Sequence, residues 1–221
     1  MKKLSVPAIA ALLLSVLFSL LLSATAWGGV DEEITRLQQR WAEVNYQLQD
    51  KKQLNAFEAL LKDADSVVST YPDSATSWIW RGIIKSTYAG AKGGLGALSL
   101  AKASKKDLER ALSIEPEALN GSAYTSLGTL YFNVPGWPIG FGDDDKAEEL
   151  LRKALTINPD GIDSNYFFGD YLLKEKRYQE AKDHFLKAKN AAPRPNRPLA
   201  DAGRQKEIAA ALARVNKKLS H

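Results

Sequence analysis

Cysteine is absent from the chain. Disulfides, thiolate metal sites, thiol nucleophiles and a lipid carried on an N-terminal cysteine are therefore excluded. Histidine is nearly absent too: there are only His184 and the terminal His221. His184 stands alone, one residue before Phe185 on a helical stretch, which suits a packing or surface residue better than a general base. No serine lies in a nucleophile-elbow sequence. Ala91–Gly96 (AKGGLG) has no Lys-Ser/Thr after it and no strand before it, so it reads as a turn between long helices and not as a phosphate loop. Asp143-Asp144-Asp145 lacks calcium-loop spacing, and adjacent carboxylates point apart. Standing before Ala147, Leu151 and Ala154, these acids suit the start of a helix, with Asp145 and Glu148 at capping-box spacing. No catalytic residue, metal site or cofactor motif emerges, and a binding protein is expected in place of an enzyme.

Long apolar runs are lacking except at one place. Ala8 to Leu22 is apolar apart from Ser15 and Ser19; Lys2 and Lys3 precede it and Ala24-Thr25-Ala26 follows. A positive start, an apolar core and small residues at the cleavage positions form a secretory signal over residues 1–26. The expected domain is then 27–221, periplasmic or secreted. The alternative is an uncleaved N-terminal membrane anchor, since the run is near bilayer-spanning length. Loss of Lys2 and Lys3 lowers the formal net charge from +4 to +2. What remains is uneven: residues 31–75 hold nine acids and five bases, residues 174–221 thirteen bases and five acids. The basic end suits contact with an anionic envelope surface or partner, or simply a solvated helix face. It lacks the interleaved aromatics of single-strand nucleic-acid binders, so no nucleic-acid partner is expected.

What the chain does have is an internal repeat. Ala181, Phe185, Ala188 and Pro193 are spaced by four, three and five residues. Ala147, Leu151, Ala154 and Pro159 repeat that spacing, as do Ser104, Leu108, Ala111 and Pro116. Steps of four and three place the first three of each set on one helix face. The proline then ends the helix. A second helix precedes each set, carrying Asn165, Phe168, Gly169 and Leu172, then Tyr124, Leu127, Gly128 and Tyr131, then Trp78, Arg81, Gly82 and Lys85. A glycine within a helix costs about 1 kcal/mol relative to alanine. At equivalent positions in three helices it implies a partner helix packed against bare backbone.

These residues resemble the tetratricopeptide repeat, W-x2-L-G-x2-Y followed by A-x3-F and a terminal proline. The resemblance implies an all-α fold, an antiparallel helix-pair array (a tetratricopeptide-like α-solenoid) with a C-terminal capping helix. Helix pairs are expected at about 31–72, 76–116, 120–159 and 162–195, and the capping helix at about 199–219. That helix carries an apolar stripe of Ile208, Leu212, Val215 and Leu219. The 76–116 pair departs from the motif, with Arg81 and Lys85 in place of apolar residues. LGTLYFNVPGWPIGFGDDDKAEELLRKAL is also similar to the periplasmic T component associated with TRAP transporters, whose members commonly carry a lipid-anchoring cysteine.

Two regions are candidates for binding. Relative to the last pair, the 120–159 pair has seven extra residues between its helices and the 76–116 pair has ten. Equivalent loops of a stacked array emerge on one edge, so Gly90–Gly96 and Asn133–Gly142 should be neighbours. The second loop is stiffened by Pro135 and Pro138 and carries Trp137, Ile139 and Phe141, which either present a recognition surface or fold back over the core. The other candidate is the inner face of the array, the family's usual ligand surface. Counting by helical steps places Ile79, Ile83, Thr125, Thr129, Tyr166 and Asp170 there. It lacks the lysine, arginine and asparagine of the family's clamp for a terminal carboxylate. It suits an extended peptide or hydrophobic helix, unless another helix or the C-terminal segment fills it. The expected function is a protein–protein interaction module in the cell envelope, binding a protein or peptide. The alternative is an accessory ligand-binding component of an envelope transport system, which a closed apolar cavity would favour.

Overall fold

The computed structural model describes residues 29–220. The expected signal segment lies outside the described residues. Nine helices follow one another among the described residues, with no strand: α1 (29–47), α2 (Asp50–Thr70), α3 (Ala75–Lys92), α4 (Gly94–Ile114), α5 (Ala118–Asn133), α6 (Asp144–Ile157), α7 (Ile162–Lys174), α8 (Tyr178–Asn190) and α9 (Pro198–Leu219). None is long and apolar enough to cross a membrane. The helices pack as successive pairs, α3 with α4, α5 with α6 and α7 with α8, and each pair packs on the next.

The three repeat glycines set the pairing distance. A Cβ on Gly82 would lie 2.8 Å from Leu108 Cγ, one on Gly128 2.7 Å from Leu151 Cγ, and one on Gly169 2.8 Å from Phe185 Cε1. Each glycine thus meets the middle residue of the four-and-three set on the partner helix. The small residues flanking that contact, Ser104 and Ala111, Ala147 and Ala154, Ala181 and Ala188, are fully buried. Ser104 keeps its hydroxyl satisfied by donating to the Gly82 carbonyl at 2.6 Å.

Arg81 and Lys85 find their explanation one layer out. Arg81 donates to both oxygens of Asp107, at 2.8 and 2.7 Å, and to Asp65 at 3.1 Å; Lys85 reaches Asp107 at 2.7 Å. Asp107 is buried. The equivalent residues of the next pair are Leu127, Tyr131 and Leu150, and of the last Phe168, Leu172 and His184. The first pair therefore replaces an apolar contact with an ionic one at the same place. In the last pair His184 lies edge-on to Phe168, 4.8 Å between centroids, with Nδ1 at 2.9 Å from Asn165 Oδ1. Burial, then Lys187, push its pKa below the usual histidine range.

The ten extra residues of the 76–116 pair do not form a loop. They lengthen α3 and α4, which meet at a single residue, Gly93, with φ +62° followed by Gly94 at +61°. Glycine alone adopts these angles freely. The seven extra residues of the 120–159 pair do form a loop. Helix α6 after it is capped by Asp143, whose side chain accepts from the Lys146 amide at 2.9 Å. The acids thus cap the helix as expected, but two residues ahead of the Asp145–Glu148 box.

Candidate functional site

Inner helices α1, α3, α5 and α7 line a concave face that is not open along its length. Helix α9 packs on α8 and α7 through Ile208, Ala211 and Val215, while its first turn returns to α1 and α3, where Ala200 joins their core. Gly203 lies against the Tyr46 ring, and Tyr46 donates to Glu207 at 3.4 Å. Burial pushes the Tyr46 hydroxyl up to about 12. The segment from Ala192 to Glu207 thus straps the inner face and turns part of the groove into a channel.

The strap is anchored by charge. Arg194 bonds Asp163 at 2.6 Å and Asp201 at 2.7 Å; Arg204 bonds Asp163 at 2.9 Å and Glu207. The Arg204 guanidinium also stacks on Tyr166 and Phe167, 4.4 and 4.5 Å from their centroids. Burial raises the Asp163 pKa, but Arg204, Arg194 and Arg197 outweigh it and hold the carboxyl well below the usual range. Arg197 is different. It lies over the Trp80 ring at 5.1 Å, yet its buried Nε has no partner among the described residues, and neither does the buried Nε1 of Trp80. Burial and the neighbouring Arg194 push its pKa down. These three arginines of the basic C-terminal end face the inner channel, so they do not belong to a solvated face or an outward basic patch. Lys206, Lys217 and Lys218 of that end are exposed.

Two adjoining chambers occupy the channel. One, about 460 Å³, is the more polar of the two, with Ser122, Thr125, Ser126, Arg194 and Arg197 in its wall beside Trp80 and Ile83. The other, about 670 Å³, is mostly apolar, walled by Ala97, Leu98, Leu130, Val134, Ile139 and Tyr166. Trp41, Thr87, Thr129, Phe167 and Arg204 border both. At the polar end Leu119, Asn120 and Gly121 hold φ of 49°, 54° and 73°. The first two are costly for residues with a Cβ, roughly 1–2 kcal/mol each.

Of the residues expected on the inner face, Ile83, Thr125, Thr129 and Tyr166 do border the chambers. Ile79 does not: it is fully buried in the core shared by α3, α4 and α5. Helical counting cannot separate the groove-facing stripe of an inner helix from the stripe facing the next inner helix. Asp170 is half-buried and 3.6 Å from Arg214. Burial raises its pKa. Trp41, Trp80, Thr87 and the strap arginines were missed, because the crossing of the inner face leaves no periodic trace. The inter-helix insertions do meet on one edge: Gly94, Leu98, Pro135 and Ile139 border the apolar chamber together. Trp137 is 90% and Ile139 67% exposed. Phe141 is not presented: it packs edge-on against Tyr131 at 5.5 Å, with the Lys105 ammonium 5.8 Å from its centroid.

Residues 139–160 and 162–195 match the family model of the tetratricopeptide repeat. Over these residues the chain carries tetratricopeptide repeats. The unmatched 76–116 pair is a tetratricopeptide-like pair with lengthened helices and the Arg81–Lys85–Asp107 cluster. A thermophilic tetratricopeptide-repeat protein from Thermus thermophilus superposes with a TM-score of 0.55 at 18% identity, over 87% of this chain and 95% of that one. MamA superposes with a TM-score of 0.44 at 15% identity, over 77% of this chain and 92% of that one. No match to a curated protein emerged. At these identities the first likeness speaks for the fold alone. The tetratricopeptide fold is that of protein–protein interaction modules.

Proposed function

We propose that the chain is an exported interaction module of the cell envelope, and that the edge carrying Trp137 and Ile139 holds a protein or peptide partner. The carrying observation is the exposure of these two large apolar side chains on a fixed mount. Gly142 N donates to Pro135 O at 2.9 Å, Gly140 N to Gly136 O at 3.1 Å and Asp143 N to Tyr131 O at 3.0 Å, while Phe141 pins the loop from inside. Rigid aromatic anchors give up little conformational entropy on binding and often dominate interface energy. Export rests on the charged start, apolar run and small residues of the first 26 positions.

Capture from an envelope extract tests this. Trp137→Ala with Ile139→Ala should abolish retention of a specific partner while shifting unfolding stability by no more than about 0.5 kcal/mol, as surface changes do. Unchanged capture by the double variant sinks the loop as the docking edge.

A second reading is supported by the strapped channel. A partly enclosed, largely apolar chamber of small-molecule size suits an accessory ligand-binding component of an envelope transport system.

A further inference from the structure

Three arginines and three carboxylates meet where the C-terminal strap crosses the inner face, but they do not pair one to one. Asp163 and Asp201 are taken by Arg194, and Asp163 and Glu207 by Arg204. Arg197 is left without an ion pair among the described residues, and two buried donors, its Nε and the Nε1 of the Trp80 ring beneath its guanidinium, lack acceptors. A buried donor without an acceptor forfeits the hydrogen bond it had in water. The Trp80 ring holds the guanidinium in place, so a ligand binding there need not order it.

We propose that the inner channel binds a small amphiphilic monocarboxylate, its head group beside Arg197 in the polar chamber and its hydrocarbon body in the apolar chamber. The proposal rests on the second reading above, that the channel is a ligand site, and names the ligand class. A carboxylate matches the planar fork of a guanidinium. A single negative charge is the most the site would take, because Arg197 alone of the three arginines has no ion pair among the described residues, while Asp160 and Asp163 also border the polar chamber and repel a higher charge. The hydrocarbon body follows from the walls beyond: Leu98, Leu130, Val134 and Ile139 offer no hydrogen-bond groups from their side chains. A polypeptide threaded there would bury amides without partners, which is costly. An alkyl chain would not. Each chamber by itself falls within the range of small-ligand sites.

Calorimetric titration of the purified protein with decanoate below its micellar range, decanol and acetate tests the assignment. Decanoate should bind and acetate should not bind measurably. Arg197→Gln should weaken decanoate by about tenfold or more, the usual worth of a hydrogen bond to a charged group, and leave decanol within about twofold of wild type. Arg197→Lys should fall between. Ala97→Phe, which intrudes on the apolar chamber, should weaken decanoate binding with Arg197 intact. Thermal unfolding of each variant confirms that it is folded. If decanol binds as tightly as decanoate and Arg197→Gln changes neither, the carboxylate assignment is overturned while the channel stands as a site for neutral apolar ligands. If Arg197→Gln weakens both equally, Arg197 only shapes the channel and the assignment is likewise overturned. If no probe binds, the ligand reading of the channel falls with it.

Discussion

At the scale of single residues, the repeat glycines carry the most information. Gly128 has no room for a methyl group, because Leu151 Cγ and the Ala147 carbonyl would lie 2.7 and 3.2 Å from it. Both neighbours are fixed, one as the branch point of a fully buried side chain, the other as helix backbone. Two effects compete in Gly128→Ala. Alanine gains about 1 kcal/mol of helix propensity, and overpacking costs about 1–3 kcal/mol. Overpacking should win here, so denaturant unfolding of Gly128→Ala should show a net loss of up to about 2 kcal/mol. A stabilised variant would mean that α5 and α6 can separate at no cost. The same residue type fails as a guide elsewhere. Gly203 also abuts a ring, but nothing in its local sequence marks it.

At the scale of helices, the α3–α4 pair shows how one repeat position accepts opposite chemistries. Leu127 with Leu150 and Phe168 with His184 pack where Arg81 meets Asp107. The ionic version holds three charges with little access to water: the Arg81, Lys85 and Asp107 side chains are 16%, 13% and 5% exposed. Removing one partner strands the rest. Asp107→Ala should therefore cost roughly 3–5 kcal/mol in denaturant unfolding. Combining Arg81→Leu, Lys85→Tyr and Asp107→Leu, the residues of the next pair, should restore stability to within about 1–2 kcal/mol of wild type, since packed apolar groups commonly replace buried ion clusters at little cost. A triple variant as unstable as Asp107→Ala would show that the three sites are not interchangeable. The lengthened α3 and α4 were unexpected because glycine-rich AKGGLG reads locally as a loop. Six residues collapse to one turn because the positive φ of Gly93 and Gly94 is enough to reverse the chain.

At the scale of the whole molecule, the array is closed by contacts between its ends. The start of α9 rests on α1 through Gly203 and Tyr46 and on α3 through Arg197 and Trp80, far from its neighbours in sequence. Gly203→Val places a branched side chain where Tyr46 already stands. Hydrogen exchange should then show faster exchange at 198–207, with α8 amides unchanged, because Ile208, Ala211 and Val215 still hold the later turns on α7 and α8. Unaltered protection at 198–207 would mean that the strap is held by its ion pairs alone.

The sequence by itself determined the helix pairs, their glycine-to-apolar contacts and the edge on which the inter-helix insertions meet. These depend on residues three, four or one repeat apart, so periodicity records them. It also brought Ile83, Thr125, Thr129 and Tyr166 to the inner face, and left open whether Trp137 and Phe141 face outward or inward. Only the tertiary structure decided that Trp137 stands free while Phe141 seals the core, that Ile79 belongs to the interior, and that three arginines of the basic end turn into the groove. Phe141 and Ile79 were settled by packing between neighbouring pairs, whereas the turn of the arginines depends on contacts between segments more than a hundred residues apart, such as Arg197 with Trp80 or Gly203 with Tyr46. A long-range contact of this kind appears only once the curvature of the stacked pairs has brought the two ends of the chain together.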